Sequence, residues 1–195
     1  MRPRFVLPLV ALFLMMPTNS CVRRDNVSNI VKNECKNKIV LNKIPGSIQV
    51  KSFCGDYSFK EEPLTRAIEV FVNEYSESFD IDPETVWAYL HGLTIELSAI
   101  PRMVDAAYSV DGKYLEGDVP VSGLAYSPKH IWVEIKTSQV WSSSLIHELV
   151  HVVVWNKNAG IHGDPDHEGN QFSGWTSEHT RLIKRVNNIL LDAEI

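Results

Sequence analysis

The stretch that decides the fold covers residues 145–155 and reads LIHELVHVVVW. Apolar residues occupy nearly every position, which predicts a helix that is buried on almost all sides. Only His147, Glu148 and His151 interrupt this pattern before the final tryptophan. Because residues four apart lie on the same face of a helix, the two imidazoles can reach one ion, while Glu148 lies about 100° further round. Burying these three polar groups without partners is unfavourable, so we expect them to share a bound ion and a water.

An H-E-x-x-H pattern on a helix is typical of a zinc site that keeps one position open for water. In such a site zinc lowers the pKa of its water, and Glu148 would act as the general base. His147 and His151 are therefore predicted zinc ligands, and Glu148 is the predicted catalytic residue. Five of the seven histidines lie between residues 147 and 179, so we expect a third ligand in this span.

Beyond the helix, the chain resembles the zincin metallopeptidases and is most similar to SprT-type proteins. In these, H-E-x-x-H is followed by a histidine in a glycine-containing loop and then by a helix. The segment from residue 167 to 172 reads HEGNQF and is loosely similar to the His-Gly-x-x-Phe of that family, with one residue inserted. The resemblance covers residues 130–190 and implies that His167 is the third zinc ligand. It also implies that residues 131–135 form the edge strand along which an extended peptide substrate binds.

Other assignments of the third ligand stay open. The alternatives are His162, Asp164, Asp166, Glu178 and His179. The group that would stabilise the oxyanion is likewise open among His162, Tyr126 and His179.

The first twenty residues have the layout of an export signal. Arg2 and Arg4 precede an apolar run at residues 5–16, which is too short for a stable membrane anchor, and small or turn-forming residues follow it. Cys21 stands where bacterial lipoproteins, whose signal this segment resembles, carry their lipid. We therefore expect a signal peptide at residues 1–20 and membrane attachment through Cys21. The expected location is the bacterial periplasm or outer membrane, with secretion as the alternative.

Cys35 and Cys54 are the two remaining cysteines. An oxidising compartment favours a disulfide between them, and the alternative is that both thiols stay free in the core. The chain is 44% hydrophobic and 22% charged, as is ordinary for a globular protein. Its net charge of −5 leaves no basic surplus to neutralise phosphates, which argues against nucleic acid as a partner.

Residues 21–45 are polar and lack long apolar periodicity, so they are predicted to form a lipidated tether and lead-in segment. Residues 46–195 suit a single domain. Alternating apolar residues predict strands at residues 48–53, 92–97 and 130–136. Asp111-Gly112 predicts a turn between hairpin arms around Tyr108 and Tyr114.

Helical periodicity predicts a helix opened by Pro63, a second capped by Asp82, and a last one starting at Thr176 or Ser177. The predicted fold class is α+β, a zincin-like domain with a small mixed sheet packed on the H-E-x-x-H helix and further helices. The predicted function is that of an exported zinc metallopeptidase acting on a peptide or protein. Two alternatives are a lipoprotein that binds metal without turnover and a zinc amidase acting on cell-wall peptides.

Overall fold

The structure, a computed structural model, describes residues 37–40, 47–53, 60–98, 102–108, 114–135, 144–158 and 174–195. Its elements in chain order are β1 (Asn37–Val40), β2 (Gln49–Phe53), α1 (Glu61–Phe79), α2 (Pro83–Leu90), β3 (Thr94–Ser98), β4 (Arg102–Tyr108), β5 (Tyr114–Val121), β6 (Gly123–Ser127), β7 (His130–Glu134), α3 (Leu145–Lys157) and α4 (Ser177–Asp192). The described residues form four helices and a small mixed sheet, which is compatible with the predicted α+β class.

The main sheet has the strand order β1-β2-β3-β7-β6. Its three central strands run parallel, and β1 and β6 run antiparallel to their neighbours. The expectation that residues 131–135 form an edge strand is wrong, because β7 pairs with β3 on one side and β6 on the other. The edge on this side of the sheet is instead β6, a strand that the sequence did not predict. It folds back on β7 through a turn at residues 128–129.

One face of the sheet packs against the helices. The buried residues on this face include Val50, Ile95, Leu97, Ile131 and Val133. Each such side chain stabilises the fold by about 1.5–3 kcal/mol when it is removed from water. α3 contacts β6 and β7 on one side and α2 and α4 on the other, which explains why its sequence is apolar nearly all round.

The predicted helices are confirmed with small differences at their ends. α1 begins at Glu61, two residues before Pro63, because a proline is tolerated in the first turn, where backbone N–H groups lack helical partners. The side chain of Asp82 caps α2 by accepting a hydrogen bond from the backbone of Glu84 at 3.0 Å, as predicted.

The predicted hairpin arms are also confirmed, with Tyr108 opposite Tyr114 in the β4–β5 ladder, while the predicted turn at Asp111-Gly112 lies outside the described residues. The hairpin covers the other face of the sheet, where Val104 and Val119 form a second, smaller core with Leu124 and Trp132.

Arg102 of β4 stands beside this second core. Its guanidinium lies 4.8 Å above the ring of Trp132 and 3.5 Å from the carboxylate of Glu96, which also lies 3.0 Å from His130 Nε2. Burial opposes the ionisation of Glu96, but His130 and Arg102 outweigh it and lower its pKa. Glu96 is therefore ionised, and its ion pair with Arg102 joins the hairpin to the sheet.

The signal peptide, Cys21, Cys35 and Cys54 lie outside the described residues, so these assignments stay predictions. β1 pairs with β2, and the sheet therefore includes residues 37–40 of the segment expected to precede the domain. Within the described ranges, no helix is both long enough and apolar enough to span a bilayer.

Candidate metal centre

The position of α3 is fixed by a polar contact at its C-terminal end. The side-chain amide of Asn156 donates hydrogen bonds to the carbonyl oxygens of Tyr89 and Pro128 at 3.0 and 2.9 Å. These carbonyls belong to the end of α2 and to the turn between β6 and β7. Together with the apolar packing on both sides, the contacts hold the helix against the edge of the sheet.

His147 and His151 meet on one face of α3, as their spacing predicts. Their Nε2 atoms lie 3.2 Å apart, and their ring planes are inclined by 69°. Two imidazole nitrogens bound to one tetrahedral zinc at about 2.0–2.1 Å are separated by about 3.3 Å. The observed separation is close to that value, and it equally allows a hydrogen bond between the two rings.

Glu148 points toward the edge strand and is only 4% exposed. A β-carbon added to Gly123 of β6 would lie 2.8 Å from both Cγ and Cδ of Glu148 and closer still to Oε1. The absence of a side chain at this position is what allows the carboxyl group to lie against the strand. Burial raises the pKa of Glu148 to about 8, so in the metal-free protein the group is protonated at neutral pH.

His179, one of the alternatives for the third ligand, is buried in the first turn of α4. Its Nδ1 accepts a hydrogen bond from the Thr176 backbone N–H at 2.9 Å, and its Nε2 lies 3.2 Å from the Tyr75 hydroxyl. These contacts assign the proton to Nε2, which donates it to Tyr75. Because both ring nitrogens are engaged, this arrangement leaves His179 no nitrogen for a metal. Burial, together with the charge of Lys157, lowers its pKa to about 4.

Two other candidates make contacts of their own. The carboxylate of Glu178 pairs with Arg181 at 2.7 Å and with Arg185 at 3.8 Å. The Tyr126 hydroxyl accepts a hydrogen bond from Arg102, and its ring packs against the second core. Neither residue is brought to His147 or His151 by these contacts.

His162, Asp164, Asp166 and His167 lie outside the described residues, so their proposed roles as ligands are untested. Among the residues that the structure does describe, no group of three His, Cys, Asp or Glu side chains converges on one point. The described part of the site is thus the His147–His151 pair with Glu148 beside it.

Trp175 and Gly123 are members of the site that the sequence did not reveal. The indole of Trp175 packs on both histidines, with ring centroids 5.1 Å from His147 and 4.7 Å from His151. Tryptophan is a common core residue near apolar helices, so nothing in the sequence linked Trp175 to the two histidines. Gly123 follows Ser122 and was indistinguishable from a turn glycine.

Comparison of the chain with protein families, with curated proteins and with solved structures finds no match.

The buried, neutral His179 has a consequence for stability. The unfolded chain binds a proton near pH 6.5, whereas the folded one binds it near pH 4. Stability from this residue is therefore complete above pH 6.5 and falls as the pH drops toward 4, by at most about 3 kcal/mol.

We expect His179→Gln to flatten this loss, because glutamine can accept the same backbone hydrogen bond but does not titrate in this range. Urea unfolding of both metal-free proteins at a series of pH values measures the difference. Parallel profiles for the two proteins between pH 7 and pH 4 would contradict the assignment.

Proposed function

We propose that this protein is a zinc-dependent peptidase in which His147 and His151 bind the metal and Glu148 is the general base. The observation that carries the proposal is the 3.2 Å separation of the two Nε2 atoms, next to a carboxyl group that is buried on the same helix. A metal explains why two imidazoles and a carboxyl group stand in an otherwise apolar helix.

Zinc, when bound, polarises a substrate carbonyl and lowers the pKa of a water molecule. Glu148 accepts the proton of the attacking water and passes it to the leaving amine. A cation nearby favours the ionised form of Glu148 and so opposes the effect of burial on its pKa. Gly123 and α3 hold the carboxyl group in one place, which limits the reorganisation that proton transfer requires.

A peptide is the substrate class that suits the surroundings of Glu148. β6 is one of the two edge strands of the sheet, and Gly123 at its start lies against Glu148 of α3. No other described strand pairs with its outer side. An extended peptide can add to such an edge through backbone hydrogen bonds, which places a peptide carbonyl near the helix.

The remaining assignments rest on sequence features. We propose His167 as the third ligand by resemblance to the SprT-type proteins, and an exported protein attached to the membrane through Cys21. A zinc site on the exported side of a membrane acts on substrates outside the cytoplasm.

The proposal is tested with the full chain loaded with one equivalent of Zn²⁺. We expect it to cleave an unfolded protein, to lose this activity when zinc is chelated, and to regain it when Zn²⁺ is restored. Cleavage of cell-wall peptides but not of unfolded protein would instead identify an amidase. Stoichiometric zinc binding with no hydrolysis of either substrate would identify a binding protein.

A further inference from the structure

Trp175 occupies the space next to both histidines. Its side chain is 5% exposed, and its ring plane is tilted by 43° to the ring of His151 and by 47° to that of His147. One rigid indole therefore limits the rotation of two imidazoles that come from successive turns of α3.

The position of Trp175 is set from outside α3. Its Nε1 donates a hydrogen bond to Thr180 Oγ1 at 3.2 Å, in the first turn of α4. The ring centroid of Trp175 also lies 5.9 Å from that of His179 in α4. The His179 ring is in turn stacked on Phe79 of α1, with centroids 4.2 Å apart. α1 and α4 thus fix the indole, and the indole contacts the two histidines.

Each histidine side chain has two rotatable bonds, and a free imidazole loses that freedom when it binds a metal. A neighbour that restricts both rings beforehand lowers the cost of binding. We infer that Trp175 is a positioning residue, which holds the imidazoles of His147 and His151 in the orientation that zinc requires. This inference rests on the proposed zinc site and extends it to a residue that contacts the ligands without binding metal.

The alternative is that Trp175 only fills the core, to which it also belongs. The two roles differ in what a substitution changes. Substitution of a residue that only fills the core lowers the free energy of unfolding. It weakens zinc binding only to the extent that it unfolds the protein. A positioning residue affects zinc affinity and the geometry of the bound metal in a protein that is still folded.

The test uses Trp175→Leu and Trp175→Phe, with Trp132→Leu and Trp132→Phe as matched controls. Trp132 is fully buried, but it lies in the second core on the opposite face of the sheet. Zinc affinity of the full chain is measured by competition with a chelating indicator. The visible absorption of bound Co²⁺ reports coordination geometry, and urea unfolding of the metal-free protein reports stability.

We expect Trp175→Leu to weaken zinc binding by about 10–100-fold and to change the Co²⁺ spectrum, as is typical for residues that orient metal ligands. Trp175→Phe keeps an aromatic ring, so its loss should be smaller, about threefold to tenfold. The Trp132 variants should keep wild-type zinc affinity even where they lower stability.

Wild-type affinity and spectrum in folded Trp175→Leu would overturn the inference and leave the zinc site intact. A loss of affinity in the Trp132 variants that tracks stability to the same degree would also overturn it. If Trp175→Leu does not fold, Trp175→Phe decides, and wild-type affinity there contradicts a positioning role. Failure of the wild-type chain to bind Zn²⁺ or Co²⁺ would instead refute the proposed function, and this inference with it.

Discussion

Glu148→Gln will leave zinc binding at the wild-type level and will reduce peptide hydrolysis by about 10²–10⁴-fold, the usual contribution of a general base. Glutamine has nearly the same size, so it fits against Gly123, but it cannot accept the proton of water. Metal content and the rate of cleavage of an unfolded protein measure the two effects. Glu96→Gln is the control, since this half-buried carboxylate lies on the other face of the sheet and should not affect hydrolysis.

The same variant has a second effect in the metal-free protein. Because the pKa of folded Glu148 is about 8, the folded state keeps a proton that the unfolded chain loses near pH 4.5. Stability therefore falls as the pH rises from 4.5 to 8, and glutamine removes this loss. We expect Glu148→Gln to be the more stable protein at pH 9 when zinc is absent. Wild-type hydrolysis by this variant would contradict the role of Glu148 whatever its stability.

Gly123→Ala will reduce hydrolysis by about 10²-fold or more. The new methyl group would lie 2.8 Å from Cγ and Cδ of Glu148, which is closer than real β-carbons approach other atoms. The carboxyl group has little room to move, because Glu148 is buried between α3 and β6. A displacement of about 1 Å at a catalytic group is enough for a loss of this size. Overpacking should also lower the free energy of unfolding by about 1–3 kcal/mol.

A double-mutant cycle with Glu148→Ala isolates the contact. With the longer side chain removed, Gly123→Ala should cost less stability by at least about 1 kcal/mol, since the two residues no longer collide. If Gly123→Ala destabilises the protein equally in both backgrounds, its effect comes from the backbone of β6. If the single variant keeps wild-type hydrolysis, the approach of the strand to Glu148 has no catalytic importance.

Much of the fold follows from periodicity and local chemistry. The alternation at residues 92–97 predicts a strand that the structure places at Thr94–Ser98 as β3, and Asp82 caps α2 as its side chain predicts. The apolar surround of His147 and His151 indicated a buried helix, and α3 is buried on both sides. These features depend on neighbours in sequence, which explains why they could be predicted.

β6 was missed for a physical reason that concerns the site. An edge strand of this sheet would normally show alternating apolar side chains, but residues 123–127 read GLAYS. Gly123 leaves one position of the core-facing side empty, and Glu148 occupies the space. The residue that brings the strand to the proposed base is thus the residue that weakens its pattern. The resemblance to the zincins predicts the edge at β7 instead, where the alternation is clean.

The surroundings of His179 could not be predicted from the sequence for a different reason. Its partners Tyr75 and Phe79 come from α1, about a hundred residues earlier in the chain, and only tertiary packing brings them together. A histidine three residues after Thr176 also stands where Glu or Gln usually completes a capping box, so the local signal was easy to overlook.

The most direct test of the zinc site is a crystal structure of the full chain grown with Zn²⁺. We predict one zinc at about 2.0–2.1 Å from Nε2 of both His147 and His151, with Glu148 near the metal but not bound to it. His167 as the third ligand would support the resemblance to the SprT-type proteins, and another third ligand would refute only that resemblance. A zinc bound elsewhere, with His147 and His151 not coordinating it, would contradict the proposed zinc site.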